Sequence, residues 1–260
     1  MNTPEKKEGL LYFHQGFTDI INQLSLIDYY APMYEKLTVI MREDASGYVD
    51  FYCRNKPNVG VLYTPLSNIH SQAILQMVDL SKYDLLFHGY YDNLRTPGDK
   101  YRGVFVPTQG RTKHFVEAFF VGYDINYDVL IDCFKFERDF ELEENVYNNF
   151  IKEHGENYIL VHESQERPIN PQSDFKVVSI GGITPNMFEF IKVLQNAKEI
   201  HLIDSLWGRF CYLIDAKNSI LQNVPVKLYP FIQKEHRHED RLGGCVGTMP
   251  KELPNWSIVD

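Results

Sequence analysis

The sequence is poor in cysteine and in long hydrophobic runs. Four of its 260 residues are cysteine and none forms a Cys-x-x-Cys pair, which argues against a disulfide framework or a zinc site. No apolar run approaches the roughly 20 residues of a membrane-spanning helix. The start, MNTPEKKEG, leads into the next segment without a signal-peptide core. We therefore expect a cytoplasmic protein with free thiols and no transmembrane segment.

Basic charge is also scarce, which limits the classes of partner. Lysine and arginine total 26, aspartate and glutamate total 35, and the formal net charge is −9. Nucleic-acid binding usually needs a basic surface, and the sequence has no basic stripe, so we expect no nucleic-acid partner. Hydrophobic residues (44%) and charged residues (23%) have the proportions of a globular protein. A few converging groups can still bind an anion in an acidic protein.

Several catalytic and cofactor-binding motifs are missing. The sequence contains no G-x-x-x-x-G-K-[ST], no G-x-G-x-x-G after a strand and no G-x-S-x-G. A strict Asp-x-Asp is also absent, which argues against a metal-dependent nucleotide-sugar enzyme with a single Rossmann domain. The tail that begins at Glu235 contains His236, His238 and Asp240, but we interpret it as a solvated loop rather than a metal site. We therefore expect no obligatory metal and no resident cofactor.

Short apolar runs alternate with helical patterns along most of the chain. Runs that are apolar on both faces favour buried parallel strands, and their alternation with helices favours β-α-β units of the α/β class. The strand predictions begin at Leu10, Leu37, Val59, Asp84, Gly103, Tyr158, Lys176, Glu199 and Val224. Two strand clusters are separated by a mostly helical stretch. The sequence therefore predicts two Rossmann-like lobes, residues 1–125 and 126–260, with mainly parallel sheets.

Apolar stripes and capping residues predict the helices. The segment Thr18–Lys36 has apolar residues at helical spacing. Thr184 and Pro185 are predicted to be the N-cap and the first residue of a later helix, and Asp139 is predicted to cap another.

Candidate ligand-binding residues follow the predicted strands, because ligands of parallel α/β sheets bind beyond the carboxyl ends of the strands. The first strand-to-helix turn contains His14, Gln15, Gly16 and Asp19. A glycine permits close approach by a ligand, and a carboxylate in the first helical turn is stabilised by the helix dipole. A purely structural interpretation, in which Asp19 caps the helix and His14 ends the strand, stays open.

The turn after the Tyr158 strand offers a possible phosphate contact. It contains His162, Glu163, Ser164 and Arg167, and a guanidinium group matches phosphate oxygens well. A solvated loop with local ion pairs is the alternative interpretation.

Two further turns have weaker signals for an anion. Gly181 and Gly182 follow a strand and permit backbone contact with a ligand, although a single glycine pair is not specific. Asp204 and Ser205 stand where a strand ends and a helix begins, and a helix N-terminus is a ready anion site. Either residue can instead serve only as the N-cap, and capping is compatible with phosphate binding.

Three of these turns resemble those of GT-B-type glycosyltransferases of the heptosyltransferase-like kind. FHQGFTDIINQLSLIDYY resembles the glycine–aspartate turn of that family and matches its aspartate with Asp19, although Thr18 replaces the usual glycine. HLIDSLWGRFCYLIDA resembles the late strand–turn–helix at the donor diphosphate, with Asp204 and Ser205 as the matches. VHESQERPIN resembles the loop that opens the donor lobe, where Arg167 matches a basic phosphate contact.

The resemblance implies a compact GT-B fold and a function. A sugar would move from a nucleotide-diphosphate donor to a glycan or other hydroxyl acceptor, with inversion and without a metal. The C-terminal lobe would bind the nucleotide sugar. The N-terminal lobe would bind the acceptor near Gln15 and Gly16, with Asp19 as the base or His14 in its place. Without a metal, Arg167 and the later helix N-terminus would stabilise the leaving diphosphate.

Two alternatives stay open. A non-catalytic module that binds a phosphosugar or nucleotide is favoured by Thr18 and by a chain shorter than typical members. An isomerase or epimerase of sugar phosphates or nucleotide sugars would share the two-lobed shape.

Overall fold

The computed structural model describes residues 8–13, 16–65, 78–88, 115–121, 124–165, 168–181, 184, 186–229 and 251–259. The chain divides into two compact units. One comprises Met1–Thr112 with Val116–Phe136, and the other comprises Lys113–Phe115 with Glu137–Asp260. Each unit contains a sheet whose described strand pairs are all parallel. The predicted α/β class with mainly parallel sheets is therefore confirmed, and the assignment of lobes at residues 125 and 126 stays a prediction.

In the described part of the first unit, four strands form a sheet in the order β3-β2-β1-β4. Its elements are β1 (Glu8–Phe13), α1 (Phe17–Tyr30), β2 (Leu37–Arg42), α2 (Ser46–Cys53), β3 (Val59–Thr64) and β4 (Tyr83–His88), followed by α3 (Phe115–Val121) and α4 (Val129–Asp132). Three 3₁₀ turns lie at Ala31–Met33, Glu43–Ala45 and Leu80–Lys82. The inner face of α1 is fully buried through Ile20, Leu24 and Ile27. This burial fixes how α1 lies on its unit.

Helix α1 is shorter than the predicted segment Thr18–Lys36. It ends at Tyr30, and the chain continues as the 3₁₀ turn Ala31–Met33, which includes Pro32. Proline has no N–H to donate, so the α-helical hydrogen-bond ladder does not continue through it. The predicted helix was too long because the aromatic and apolar residues after Tyr30 keep the helical spacing.

Among the residues described in the second unit, five strands form a sheet in the order β6-β5-β7-β8-β9. Its elements are α5 (Phe140–His154), β5 (Tyr158–His162), β6 (Lys176–Ser179), a 3₁₀ turn (Met187–Phe190), α6 (Ile191–Asn196), β7 (Glu199–Ile203), α7 (Leu206–Asn218), β8 (Val226–Tyr229) and β9 (Trp256–Ile258). The central strands are hydrophobic on both faces, as in sheets covered by helices. None of the helices described in either unit has the length and hydropathy needed to span a membrane.

A buried carboxylate ties the end of α7 to the last strand. Asp215 is 2% exposed, and its oxygens accept hydrogen bonds from Leu221 N (2.8 Å), Asn255 Nδ2 (3.0 Å) and Trp256 Nε1 (2.9 Å). Asn255 also donates to two backbone carbonyl groups of the turn after α7. This network holds β9 in place beside β8, and the sequence analysis predicted neither the network nor the strand.

Most strand predictions are confirmed, and one helix cap is corrected. Every strand predicted from Leu10 to Val224 is present except the one at Gly103, which lies outside the described residues.

The predicted cap Asp139 accepts a hydrogen bond from Leu142 N at 3.1 Å. The prediction that Thr184 is an N-cap is wrong, because the Asn186 side chain caps the 3₁₀ turn instead. Thr184 Oγ1 accepts from Asn186 N (3.0 Å), so it supports the cap from two residues earlier.

Candidate functional site

The carboxyl ends of β5 and β7 bring two predicted site residues together. The two strands are parallel neighbours, with His162 opposite Leu202 in the register. His162 is the last residue of β5, and Asp204 and Ser205 directly follow β7. This is the edge of a parallel sheet at which ligands of α/β proteins bind.

Ser205 joins this edge of the sheet to helix α7. It is the N-cap of α7, and its hydroxyl oxygen accepts a hydrogen bond from Gly208 N at 3.4 Å. The same Oγ lies 2.9 Å from His162 Nδ1. The hydroxyl group has one proton and two acceptor sites, so it can donate to Nδ1 or accept from it while it also accepts from the backbone. In either tautomer, the contact joins the end of β5 to the start of α7.

Gly208 allows α7 to start this close to the sheet. A Cβ atom at this position would lie 2.9 Å from the carbonyl oxygen of Ile203, which is closer than real Cβ atoms come to backbone. The glycine therefore permits the short turn between β7 and α7, and the turn sets the position of Ser205.

Burial keeps His162 neutral. Desolvation lowers the pKa of the imidazole below its ordinary value, and the nearby Glu163 carboxylate opposes this shift only in part. Glu163 is itself engaged, since its Oε2 accepts a hydrogen bond from Ile169 N at 2.6 Å and holds the following loop against the unit. Ser164 is half-buried beside it. Roles of Glu163 and Ser164 in ligand binding stay predictions.

The remaining donor-side residues are only partly described. Arg167 and Gly182 lie outside the described residues, as do His236, His238 and Asp240. Gly181 is exposed after β6, and the nearest atom to a Cβ built on it is Ser179 Oγ at 3.9 Å, so a ligand could approach the backbone there. Asp204 is half-buried next to Ser205. Within the described ranges, no group of three or more His, Cys, Asp or Glu residues is arranged to hold a metal ion.

The first turn of the other unit is described from Gly16 onward. Gly16 is the N-cap of α1 with extended backbone angles, and its carbonyl oxygen accepts from Ile20 N at 2.9 Å. Asp19 lies in the first turn of this 14-residue helix and is half-buried. A carboxylate there is stabilised by the amino-terminal end of the helix dipole. His14 and Gln15 lie outside the described residues, so their roles stay predictions.

The sequence analysis missed Arg209. This residue is only 1% exposed, one helical turn after Ser205, and its backbone N donates to Ser205 O at 3.0 Å. Within the described part of the chain, its Nε and Nη1 atoms have no hydrogen-bond partner. The signal was present in the sequence, because Arg209 stands alone as a cation in the apolar stretch LWGRFCYLI.

A solved structure has a fold similar to that of this chain. The glycosyl transferase family 9 protein from Veillonella parvula DSM 2008 matches with a TM-score of 0.55 and 10% sequence identity, over 100% of this chain and 88% of that chain. The two chains share a fold. The fold that the GT-B resemblance implied is thereby confirmed, and at 10% identity the match shows the fold alone.

Two further solved structures match less well. E. coli heptosyltransferase WaaC with ADP has a TM-score of 0.41 at 11% identity, over 85% of this chain and 86% of that chain. The same enzyme with ADP-2-deoxy-2-fluoro heptose has a TM-score of 0.40 at 11% identity, over 91% and 92%. TM-scores this low support no argument. No family model and no curated protein matches the sequence.

Proposed function

We propose that the protein transfers a sugar from a nucleotide-diphosphate donor to a hydroxyl acceptor, with inversion and without an obligatory metal. The observation that carries the proposal is the contact of Ser205 with His162, at the carboxyl ends of two parallel strands and at the start of a 13-residue helix. The fold shared with a glycosyl transferase family 9 protein supports it.

The donor diphosphate is proposed to bind at the start of α7. The first N–H groups of a helix have no intrahelical acceptor, and the helix dipole favours negative charge there. Ser205 and His162 add polar side chains at the same edge of the sheet. The leaving nucleoside diphosphate gains negative charge as the glycosidic bond breaks, and fixed donors aimed at that charge lower the barrier.

The acceptor is proposed to bind the first unit, near Gln15 and Gly16. Its hydroxyl group must lose a proton as it attacks the anomeric carbon, so a base is required. Asp19 is the proposed base because it lies in the first turn of α1 and matches the aspartate of the resembling family. His14 is the alternative base. Thr18, where the resembling family has glycine, is the observation that favours a second candidate, a non-catalytic module that binds the nucleotide without turnover.

Replacing Ser205 by alanine tests the donor site. We expect the affinity for the nucleoside diphosphate to fall by about 1.5–3 kcal/mol, because a hydrogen bond to a charged group is lost and the helix cap is weakened. Isothermal titration calorimetry would measure this against Ser219→Ala, which removes a hydroxyl at the opposite end of the same helix. Equal affinities of the two variants would place the diphosphate elsewhere.

The depressed pKa of His162 predicts how stability depends on pH. Between the lowered folded-state pKa and the ordinary value near 6.5, the unfolded chain binds more protons than the folded protein, so stability falls as pH falls through that window. We expect the urea midpoint of the nucleotide-free protein to drop more between pH 7.5 and 5.5 than that of His162→Gln. Parallel pH profiles for the two proteins would show that the His162 pKa is unshifted.

A further inference from the structure

Strand β3 lies at one end of the first sheet, among the strands that the structure describes. It pairs with β2 alone, and residues 59–63 are each partly exposed. The ladder between the two strands includes a hydrogen bond from Leu37 N to Asn58 O of 2.8 Å. Because alternate residues of a strand bond to the same neighbour, the even-numbered residues of β3 direct their backbone groups to β2. Val61 and Tyr63 therefore direct their N–H and C=O groups away from the sheet.

The other three strands that end a described sheet each have a feature that discourages pairing. Strand β4 contains Asp84, β6 has four residues and begins with Lys176, and β9 has only three residues. Short length and charged side chains are common means by which proteins keep sheet edges from pairing. Strand β3 has neither, since its six residues, VGVLYT, include no charge and no proline. Its outer edge is therefore suited to pair with another strand.

The sequence of this edge is complementary to itself about Val61. When two copies of β3 pair antiparallel with their Val61 residues opposite each other, Val59 lies opposite Tyr63 and Gly60 lies opposite Leu62. A smaller residue then meets a larger one on both sides of the centre. No described atom lies within 4 Å of a Cβ built on Gly60, so the Leu62 side chain of a second copy has room there.

The same register uses the open backbone groups of the strand. The two Val61 residues exchange two N–H···O=C hydrogen bonds, as opposed residues do at alternate positions of an antiparallel pair. Tyr63 N–H of each copy donates to Val59 C=O of the other. Val59 N–H is not needed, since it already donates to Lys56 O at 3.0 Å. The paired strands bring no like charges opposite each other, although the net charge of the chain is −9.

We propose that β3 binds β3 of a second copy of this chain, as an antiparallel strand pair with its two-fold axis at Val61. The two first-unit sheets then continue into each other through one isologous contact. A single strand pair is smaller than the interfaces of about 1,200–2,000 Å² that hold stable complexes, so the dimer is weak and depends on protein concentration. The proposal does not depend on the proposed transferase activity, because no residue of β3 belongs to the candidate site.

Analytical ultracentrifugation tests the association. From low-micromolar to near-millimolar wild-type protein, the weight-average mass should rise from that of one chain toward that of two. Val61→Pro removes an N–H that β2 does not use, and Val61→Lys places two like charges opposite each other. Both variants should keep the circular dichroism spectrum of the wild type and stay monomeric. The control Val177→Lys changes a 44% exposed residue of edge strand β6 and should associate like the wild type.

Disulfide cross-linking tests the register. Opposed residues of a hydrogen-bonded antiparallel pair have Cα atoms about 5.5 Å apart, which a disulfide spans. Under mild oxidation, Val61→Cys should form a dimer linked through residue 61, identified by peptide mapping, and Val177→Cys should form none through residue 177. A cross-link that is absent at residue 61, or Val61→Lys that associates like the wild type, overturns the proposal. A wild type that is monomeric at every concentration also overturns it and leaves this edge to a strand of a different protein.

Discussion

Replacing Asp19 by asparagine is expected to lower kcat for sugar transfer by about 10²–10⁴-fold, the usual loss when a general base is removed. Asparagine keeps the size of the side chain and its hydrogen-bonding position at the start of α1, but it cannot accept the acceptor's proton. Donor binding belongs to the other unit in this account. The nucleoside diphosphate affinity of Asp19→Asn should therefore equal that of the wild type.

The matched control is Glu35→Gln, which neutralises an exposed carboxylate in the same unit. Initial rates at saturating donor and acceptor would compare the two variants with the wild type. If Asp19→Asn turns over within a few-fold of the wild type while His14→Ala is inactive, the base is His14. If both variants bind donor and stay active, the first turn does not hold the base.

Replacing Asp215 by alanine should lower the free energy of unfolding by about 2–5 kcal/mol. The substitution removes the acceptor of the buried Leu221 N–H and of the indole N–H of the half-buried Trp256, and an unsatisfied buried donor costs about 1–3 kcal/mol. Asn255 loses one of three acceptors and keeps two carbonyl groups. The stability should fall because β9 packs less firmly against β8 and α7.

Urea denaturation followed by tryptophan fluorescence would measure this effect, since Trp256 itself belongs to the network. Asp174→Ala, at an exposed position in the same unit, should change stability by no more than about 0.5 kcal/mol. An unfolding midpoint for Asp215→Ala equal to that of the control would mean that the carboxylate does not hold the last strand.

Local patterns were enough to predict most of the secondary structure. Most of the strands from Leu10 to Val224 contain a short apolar run, and this signal depends on neighbours along the chain rather than on distant contacts. Strand β9 was not predicted because its three residues, Trp256–Ile258, are too few to show the alternation of a strand. They are held in place by Asp215, which is distant in the sequence. The cap at Asn186 was missed for a local reason, since Thr184 and Asn186 are two residues apart and both are suited to cap the same helix start.

The candidate site was predictable only where residues follow strands directly. His162 and Ser205 were both predicted, because strand ends locate them, but their 2.9 Å contact depends on β5 and β7 being neighbours in the sheet. Arg209 was not predicted, because a cation in a helix is ordinarily read as surface charge. Only its burial shows that the charge is held inside the fold.

The most direct test is to incubate the protein with each of a panel of nucleotide sugars and a hydroxyl acceptor, in excess chelator, and to measure released nucleoside diphosphate and the anomeric configuration of the product. We predict release from at least one donor, with inversion, and loss of that release in Asp19→Asn. Nucleotide binding without release from any donor would contradict the transferase and leave a binding module. If chelator abolishes the release of nucleoside diphosphate and manganese restores it, the metal-independent mechanism is contradicted.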